Sequence, residues 1–278
     1  ALEKAQINRE ALVDLGLEFN RRRHGQLYFI SNWSAKQVEA WVPLTTATEQ
    51  VAIFDPMSGE FGRAKTRIAN GQTEVYLQLN QGTALILQSF EGAINAEDWL
   101  YFKKKAEPLV LDKNWNISFA TGGPQIPEDQ ALAALDMWTN LDGAAFQHFS
   151  GTGIYSTTFS KPSGEGGGWL LDLGEVAESA TVRLNGTEIG TAIGPVYQLY
   201  IPQGLLQETN RLEVAVSNSM ANRVISLEQQ GQRWQRFYNI NISARLLENL
   251  GPDRVFTTKK WSPRPSGLAG PVTLTLME

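Results

Sequence analysis

The chain has 278 residues, with 24 basic and 29 acidic side chains, 8 tryptophans, 2 histidines and no cysteine. This composition excludes a disulfide framework, a thiolate zinc site and a cysteine nucleophile. The net charge of −5 excludes the overall basic footprint of a nucleic-acid binder. No apolar run reaches the roughly 18 residues of a membrane span, while 42% apolar content suffices for buried cores. The length fits roughly two domains of about 100–200 residues each. His24 and His148 lie too far apart for a local metal motif. The basic blocks Arg21-Arg22-Arg23-His24 and Lys103-Lys104-Lys105 are short and read as solvated or salt-bridged faces. Opening on Ala-Leu-Glu-Lys, without Met, is expected of a processed protein or of a piece of a longer one.

Residues 1–19 are predicted to be helical, with Leu2, Ile7, Leu12 and Leu15 near one face and Gly16 as the stop. From Gln26 the period changes to two. Leu27 and Phe29 alternate with Tyr28 and Ile30, and Val75, Leu77 and Leu79 alternate with Tyr76 and Gln78. Leu85 and Leu87 continue the pattern beyond a turn at Asn80-Gln81-Gly82, and Asp55-Pro56-Met57-Ser58-Gly59 carries turn chemistry. These segments predict a small antiparallel sandwich. A passage from about Asn95 to Pro108 carries Trp99, Tyr101 and Phe102 and reads as a connector packed onto its neighbours. The expected domains are therefore 1–105 and 106–278.

In the second domain Trp115, Ile117 and Phe119 resume the alternation, and a helical turn or two is expected over Glu128 to Met137. Strands are predicted at Tyr155–Phe159, Trp169–Leu173, Ala180–Leu184, Glu188–Ala192, Val196–Ile201, Arg211–Ser217 and Val272–Leu276. Asn185-Gly186 suits a two-residue type I′ hairpin. Its register would pair Leu184 with Thr187, Arg183 with Glu188 and Val182 with Ile189. About eight strands with turns every 8–12 residues point to an all-β sandwich, with a jelly roll among the options. Residues 218–265 form a long excursion without a strand pattern, and such excursions tend to be functional.

The search for chemistry is mostly negative. There is no G-x-S-x-G elbow, P-loop or G-x-G-x-x-G. The cluster Gly164-Glu165-Gly166-Gly167-Gly168 reads as a hairpin loop, and His148 as a strand-edge residue beside Phe146 and Phe149. Glycoside cleavage needs two carboxylates across the scissile bond, but nothing selects a pair. Asp55 with Glu60, and Asp172 with Glu175, read as turn and strand-end residues. The four N-x-[ST] sequences at Asn32, Asn116, Asn185 and Asn241 are adequately explained by chance. The excursion does hold a sugar-binding kit of rings for stacking and of Asn and Arg for hydroxyls. Its candidates are Asn222, Arg223, Trp234, Tyr238 and Trp261, within a set that also includes Gln232, Arg233, Arg236, Asn239 and Arg264.

Trp169-Leu-Leu-Asp-Leu-Gly-Glu-Val and Ala180-Thr-Val-Arg-Leu-Asn-Gly-Thr-Glu-Ile-Gly190 resemble the galactose-binding-like jelly roll found as the sugar-binding domain of family 2 glycoside hydrolases. Phe149-Ser-Gly-Thr-Gly-Ile-Tyr155 and Asn210-Arg-Leu-Glu-Val-Ala-Val-Ser-Asn218 continue the match. Ala221-Asn-Arg223 narrows it to the C-terminal region of family 106, the α-L-rhamnosidase-like proteins. Leu15-Gly-Leu-Glu-Phe-Asn-Arg-Arg-Arg-His24, Tyr28-Phe-Ile-Ser-Asn32, Ile53-Phe-Asp-Pro-Met-Ser-Gly-Glu60 and Pro265-Ser-Gly-Leu-Ala-Gly-Pro-Val272 agree with that choice.

The resemblance implies a small antiparallel β-sandwich followed by a galactose-binding-like jelly roll, with a short N-terminal helix. It implies a non-catalytic accessory region whose parent bears its carboxylates on a separate (β/α)₈ barrel, since no βα repeat occurs here. No catalytic residue carries over. By the same resemblance, the partners are that barrel and a plant-type polysaccharide or oligosaccharide. The location is periplasmic or secreted in a bacterium, and a structural calcium without an assigned ligand set is the one cofactor implied. A freestanding carbohydrate-binding module is one alternative. The other is a structural or protein-interaction module with an apolar patch on the first sandwich.

Overall fold

Alternation of period two buries one face of each strand, and the strands close over two separate cores. The computed structural model describes residues 9–22, 26–234 and 246–278. Contacts divide the chain into two units, Ala1–Lys103 and Lys104–Glu278. Every strand pairing among the described elements is antiparallel. The chain is all-β.

The first unit contains β1 (Leu17–Arg22), β2 (Leu27–Asn32), β3 (Val38–Pro43), β4 (Gln50–Phe54), β5 (Phe61–Arg63), β6 (Thr66–Ala69), β7 (Gln72–Leu79) and β8 (Ala84–Phe90). They form a five-stranded sheet, β1-β2-β8-β4-β5, and a three-stranded sheet, β3-β7-β6. Tyr28, Ile30, Val51, Ile53, Leu85 and Leu87 from one sheet meet Val38, Val42, Val75, Leu77 and Leu79 from the other in a single core. Each fully buried large side chain contributes about 1.5–3 kcal/mol relative to its exposed state.

The helix expected over 1–19 is much shorter among the described residues. Ala11–Leu15 is a 3₁₀ turn, and a strand begins at Leu17. Gly16 does stop it, in the left-handed region at φ 73°. Leu12 is fully buried, so the turn is held by packing rather than by length. The β4–β5 turn is built as its residues suggest. The Asp55 carboxylate accepts the Met57 amide at 2.7 Å, and Gly59 supplies φ 77°. The connector packs on the first core through Trp99 and Tyr101, and the Tyr101 hydroxyl donates to the Tyr76 carbonyl at 3.0 Å. Burial pushes the Tyr101 phenol up to about 12.

The second unit contains β9 (Leu109–Val110), β10 (Trp115–Gly123), β11 (Gln130–Leu132), α1 (Ala144–His148), β12 (Ser150–Ser160), β13 (Gly168–Asp172), β14 (Glu175–Ala177) and β15 (Ser179–Leu184). It continues with β16 (Thr187–Ile193), β17 (Gln198–Pro202), β18 (Thr209–Ser217), α2 (Ala221–Gln229), β19 (Gly267–Gly270) and β20 (Thr273–Met277). A six-stranded sheet, β11-β10-β12-β18-β15-β16, shares one core with a four-stranded sheet, β17-β13-β20-β9, while β14 pairs with β19. Phe119, Trp138, Phe146 and Phe149 interlock in this core with ring centroids 5.0–5.9 Å apart. Gly153 makes room for them, since a Cβ there would lie 2.9 Å from Trp138.

Four expectations are corrected. Glu128–Met137 holds the short strand β11, and the helical turns come later, at Trp138–Asn140 and Ala144–His148. His148 therefore ends a helix and is not on a strand edge. The Gly164–Gly168 loop joins β12 to β13, which lie in different sheets, so it is a crossover and not a hairpin. At Asn185-Gly186 both residues take positive φ (53° and 82°), and Leu184 pairs with Thr187 and Arg183 with Glu188. A bulge then shifts the register, so Val182 faces Gly190 rather than Ile189.

Candidate functional site

The 218–265 excursion forms a helix that its residues hid. Over α2 the buried positions are Asn222, Ile225 and Ser226, so two of three inward side chains are polar and the apolar period is blurred. Asn222 is 1% exposed. Its amide donates to the Arg264 carbonyl at 2.9 Å, and its Oδ1 accepts the Arg264 amide at 2.7 Å. A side chain so committed clamps the excursion and presents nothing to a sugar, contrary to its expected role. Asn218 extends the clamp by donating to the Phe149 carbonyl and to the Ser266 hydroxyl, both at 2.9 Å. The Arg223 amide donates to Ser150 Oγ at 3.0 Å. The Arg223 guanidinium lies against Gly123, where a Cβ would stand 1.9 Å from Nη1.

At the far end of α2 sits a carboxylate that sequence reading overlooked. Glu228 accepts the Trp234 indole N–H at 3.2 Å, the Thr258 amide and hydroxyl each at 2.7 Å, and the Thr257 hydroxyl. Burial alone would raise its pKa. The hydrogen bonds from Thr257, Thr258 and Trp234 outweigh that and hold the carboxyl below the usual glutamate range. Three of these donors converge on Oε2 and one reaches Oε1, so neither carboxylate oxygen is without a donor. A general acid for glycoside cleavage needs the reverse, a raised pKa and a free oxygen. Glu228 is thus a structural anchor. Thr257-Thr258, a hydroxyl pair that could cap a carboxylate, was its one visible signal.

The described rings of the excursion pack on one another. Phe256 is buried, with Trp234 and Trp261 set edge-on to it at 5.7 and 5.6 Å between centroids. The Trp261 indole donates to Asn249 Oδ1 at 2.9 Å, and the Arg264 guanidinium lies 5.2 Å from the Trp261 ring centre. The structure therefore brings Trp234 and Trp261 into one cluster, places Arg223 on the Gly123 strand, and buries Asn222. Tyr238, Arg236 and Asn239 lie outside the described residues.

The other acidic candidates serve turns. Asp172 accepts the Gly174 amide at 2.9 Å and the Gln198 side-chain amide at 2.7 Å. Among the described residues no three His, Cys, Asp or Glu gather into a metal site, so they do not fit a carboxylate-held calcium.

Compared with known proteins, this chain is a glycoside hydrolase-related β-region. Its fold matches a rhamnosidase structure from Novosphingobium sp. PP1Y with a TM-score of 0.72 and 25% identity, over 99% of this chain and 25% of that one. In sequence it is 26% identical over 260 residues to a Formosa agariphila protein named "Putative beta-glucuronidase", covering 85% of this chain and 21% of that protein. The chain thus spans a quarter or less of the length of each. No family model matches it.

Proposed function

We propose that this chain is an accessory, non-catalytic β-region of a larger α-L-rhamnosidase-like glycoside hydrolase of family 106. Its second unit is the galactose-binding-like jelly roll, and its role is to buttress the catalytic barrel. The observation that carries this reading is the likeness to the Novosphingobium rhamnosidase, which covers both units in order but only a quarter of that enzyme. The chemistry of the described carboxylates supports it. Four donors hold the Glu228 carboxyl below the usual glutamate range, and Asp55 and Asp172 are spent on turns. Contact with a plant-type oligosaccharide belongs to the same proposal and falls on Trp261 and Arg264.

The test is direct. The purified chain, given aryl α-L-rhamnosides and aryl β-glucuronides, is expected to release no aglycone above the buffer rate. Turnover abolished by a single carboxylate substitution would overturn the reading. Affinity electrophoresis in plant polysaccharide gels addresses the sugar contact: retardation lost in Trp261→Ala supports it, and equal mobility with and without glycan removes it.

A further inference from the structure

The outer face of the five-stranded sheet in the first unit should be polar, because its inner face already supplies the core. It is not. Phe29 pairs with Ile86, Ile86 with Phe54, and Phe54 with Phe61 in direct cross-strand register. One apolar row therefore crosses β2, β8, β4 and β5 at right angles to the strands. Phe29 is 46% exposed and Phe61 52%, with Ile86 and Phe54 half-buried between them. Such a row on a water-facing sheet marks a binding surface. The Phe54 and Phe61 rings stack on each other at 5.3 Å and 17°, so each covers one face of the other. The four apolar side chains themselves offer no hydroxyl, amide or charge. A pyranose needs polar groups converging beside a ring, whereas four apolar side chains in line match the apolar surface of a protein.

The edge of the row indicates which protein. On β1, Asn20 continues the row beside Phe29, while Glu18 and Arg22 flank it two residues to either side. All three are exposed, and neither charge forms an ion pair with another described residue. A two-fold axis lying in the interface along the row leaves the row facing itself. It also turns the strands end for end, so Glu18 of one copy faces Arg22 of the other, twice. An axis along the strands would instead bring Arg22 toward the Arg63 end of the same cross-strand line.

We propose that this face is a homodimer interface, closed by the Phe29–Ile86–Phe54–Phe61 row and by two symmetric Glu18–Arg22 pairs. An isologous contact of this kind is the commonest closed assembly. The proposal stands apart from the hydrolase reading, since an active or an inactive chain could dimerise this way.

Sedimentation equilibrium of the purified chain tests it. The mass should rise with concentration from 30.8 kDa toward twice that value. Phe61→Lys, an exposed position whose folding is checked by circular dichroism, should weaken dimerisation by about tenfold or more, the effect of losing one apolar contact. Glu18→Arg should also weaken it, and Glu18→Arg combined with Arg22→Glu should restore it. A chain that stays monomeric at every concentration overturns the proposal. So does a dimer indifferent to Phe61→Lys, a double exchange that fails to rescue, or glycan binding at this face without self-association.

Discussion

The two units solve the same problem with different chemistry. In the first, the Glu10 carboxylate is 4% exposed and accepts the Thr45 amide at 3.1 Å, the Thr45 hydroxyl and the Tyr28 hydroxyl at 3.1 Å. It also pairs with the Arg21 guanidinium at 2.9 Å. In the second, Glu228 is only half-buried and is held by Thr257, Thr258 and Trp234, with no ion pair to another described residue. Each carboxylate ties a short helical segment to a distant threonine stretch: Glu10 to Thr45, and Glu228 to both Thr257 and Thr258. The difference follows burial. A carboxylate removed almost wholly from water needs an opposite charge as well as donors, whereas one that keeps part of its hydration is satisfied by neutral donors.

The contrast can be broken most sharply at Glu10. Glu10→Ala leaves Arg21 without its counter-charge and the Thr45 amide without its acceptor, and should cost about 3–5 kcal/mol in denaturant unfolding. A loss under about 1 kcal/mol would mean that solvent reaches the pocket, and the contrast would fall. Glu228→Ala should cost less, about 1–3 kcal/mol, because its partners are neutral and water can partly replace it. Hydrogen exchange should show the loss on α2 and residues 256–261, with the first unit unaffected.

The third test uses acid. The folded pKa of Glu228 lies below its ordinary value of 4.5. Its contribution is therefore complete above that value and is lost as pH falls through the lower folded pKa. Glu228→Gln should flatten this part of the stability profile; an unchanged acid limb would contradict the assignment. The smallest effect is expected at Arg183–Glu188, a hairpin pair at 3.1 Å with both side chains more than half exposed. Arg183→Ala should change stability by less than about 1 kcal/mol. A larger loss would show that exposure does not rank these pairs.

How much of this was legible depended on whether the deciding force was local. The strand faces were readable because Val75, Leu77 and Leu79, or Leu212, Val214 and Val216, alternate with polar neighbours and all became core. The Asn185-Gly186 turn was readable because two successive positive-φ positions leave few residue choices. The register error two residues later was not, since the bulge arises where β15 must also pair with β18. Helix α2 was hidden because its inward face carries Asn222 and Ser226; the partners of Asn222, Arg264 and Ser266, lie some forty residues downstream, while Ser226 accepts from the Gln230 side chain one turn on. Asn222 drew notice as a sugar contact for the same reason, since a polar side chain in a loop-like stretch looks available until its partners are known.

The sequence by itself determined that this protein is all-β, where most strands run and which of their faces are apolar, because periodicity and turn chemistry act within a few residues. Tertiary structure alone decided which polar groups are spent and which are free. Glu10 and Glu228 became anchors because distant threonines reach them. Of the 8 tryptophans, only Trp33 is exposed, at 76%. The apolar row on the outer sheet arose only when Phe29, Ile86, Phe54 and Phe61 came into register. Hydrogen-bond satisfaction and cross-strand adjacency depend on pairs far apart in the chain, and no local pattern encodes them.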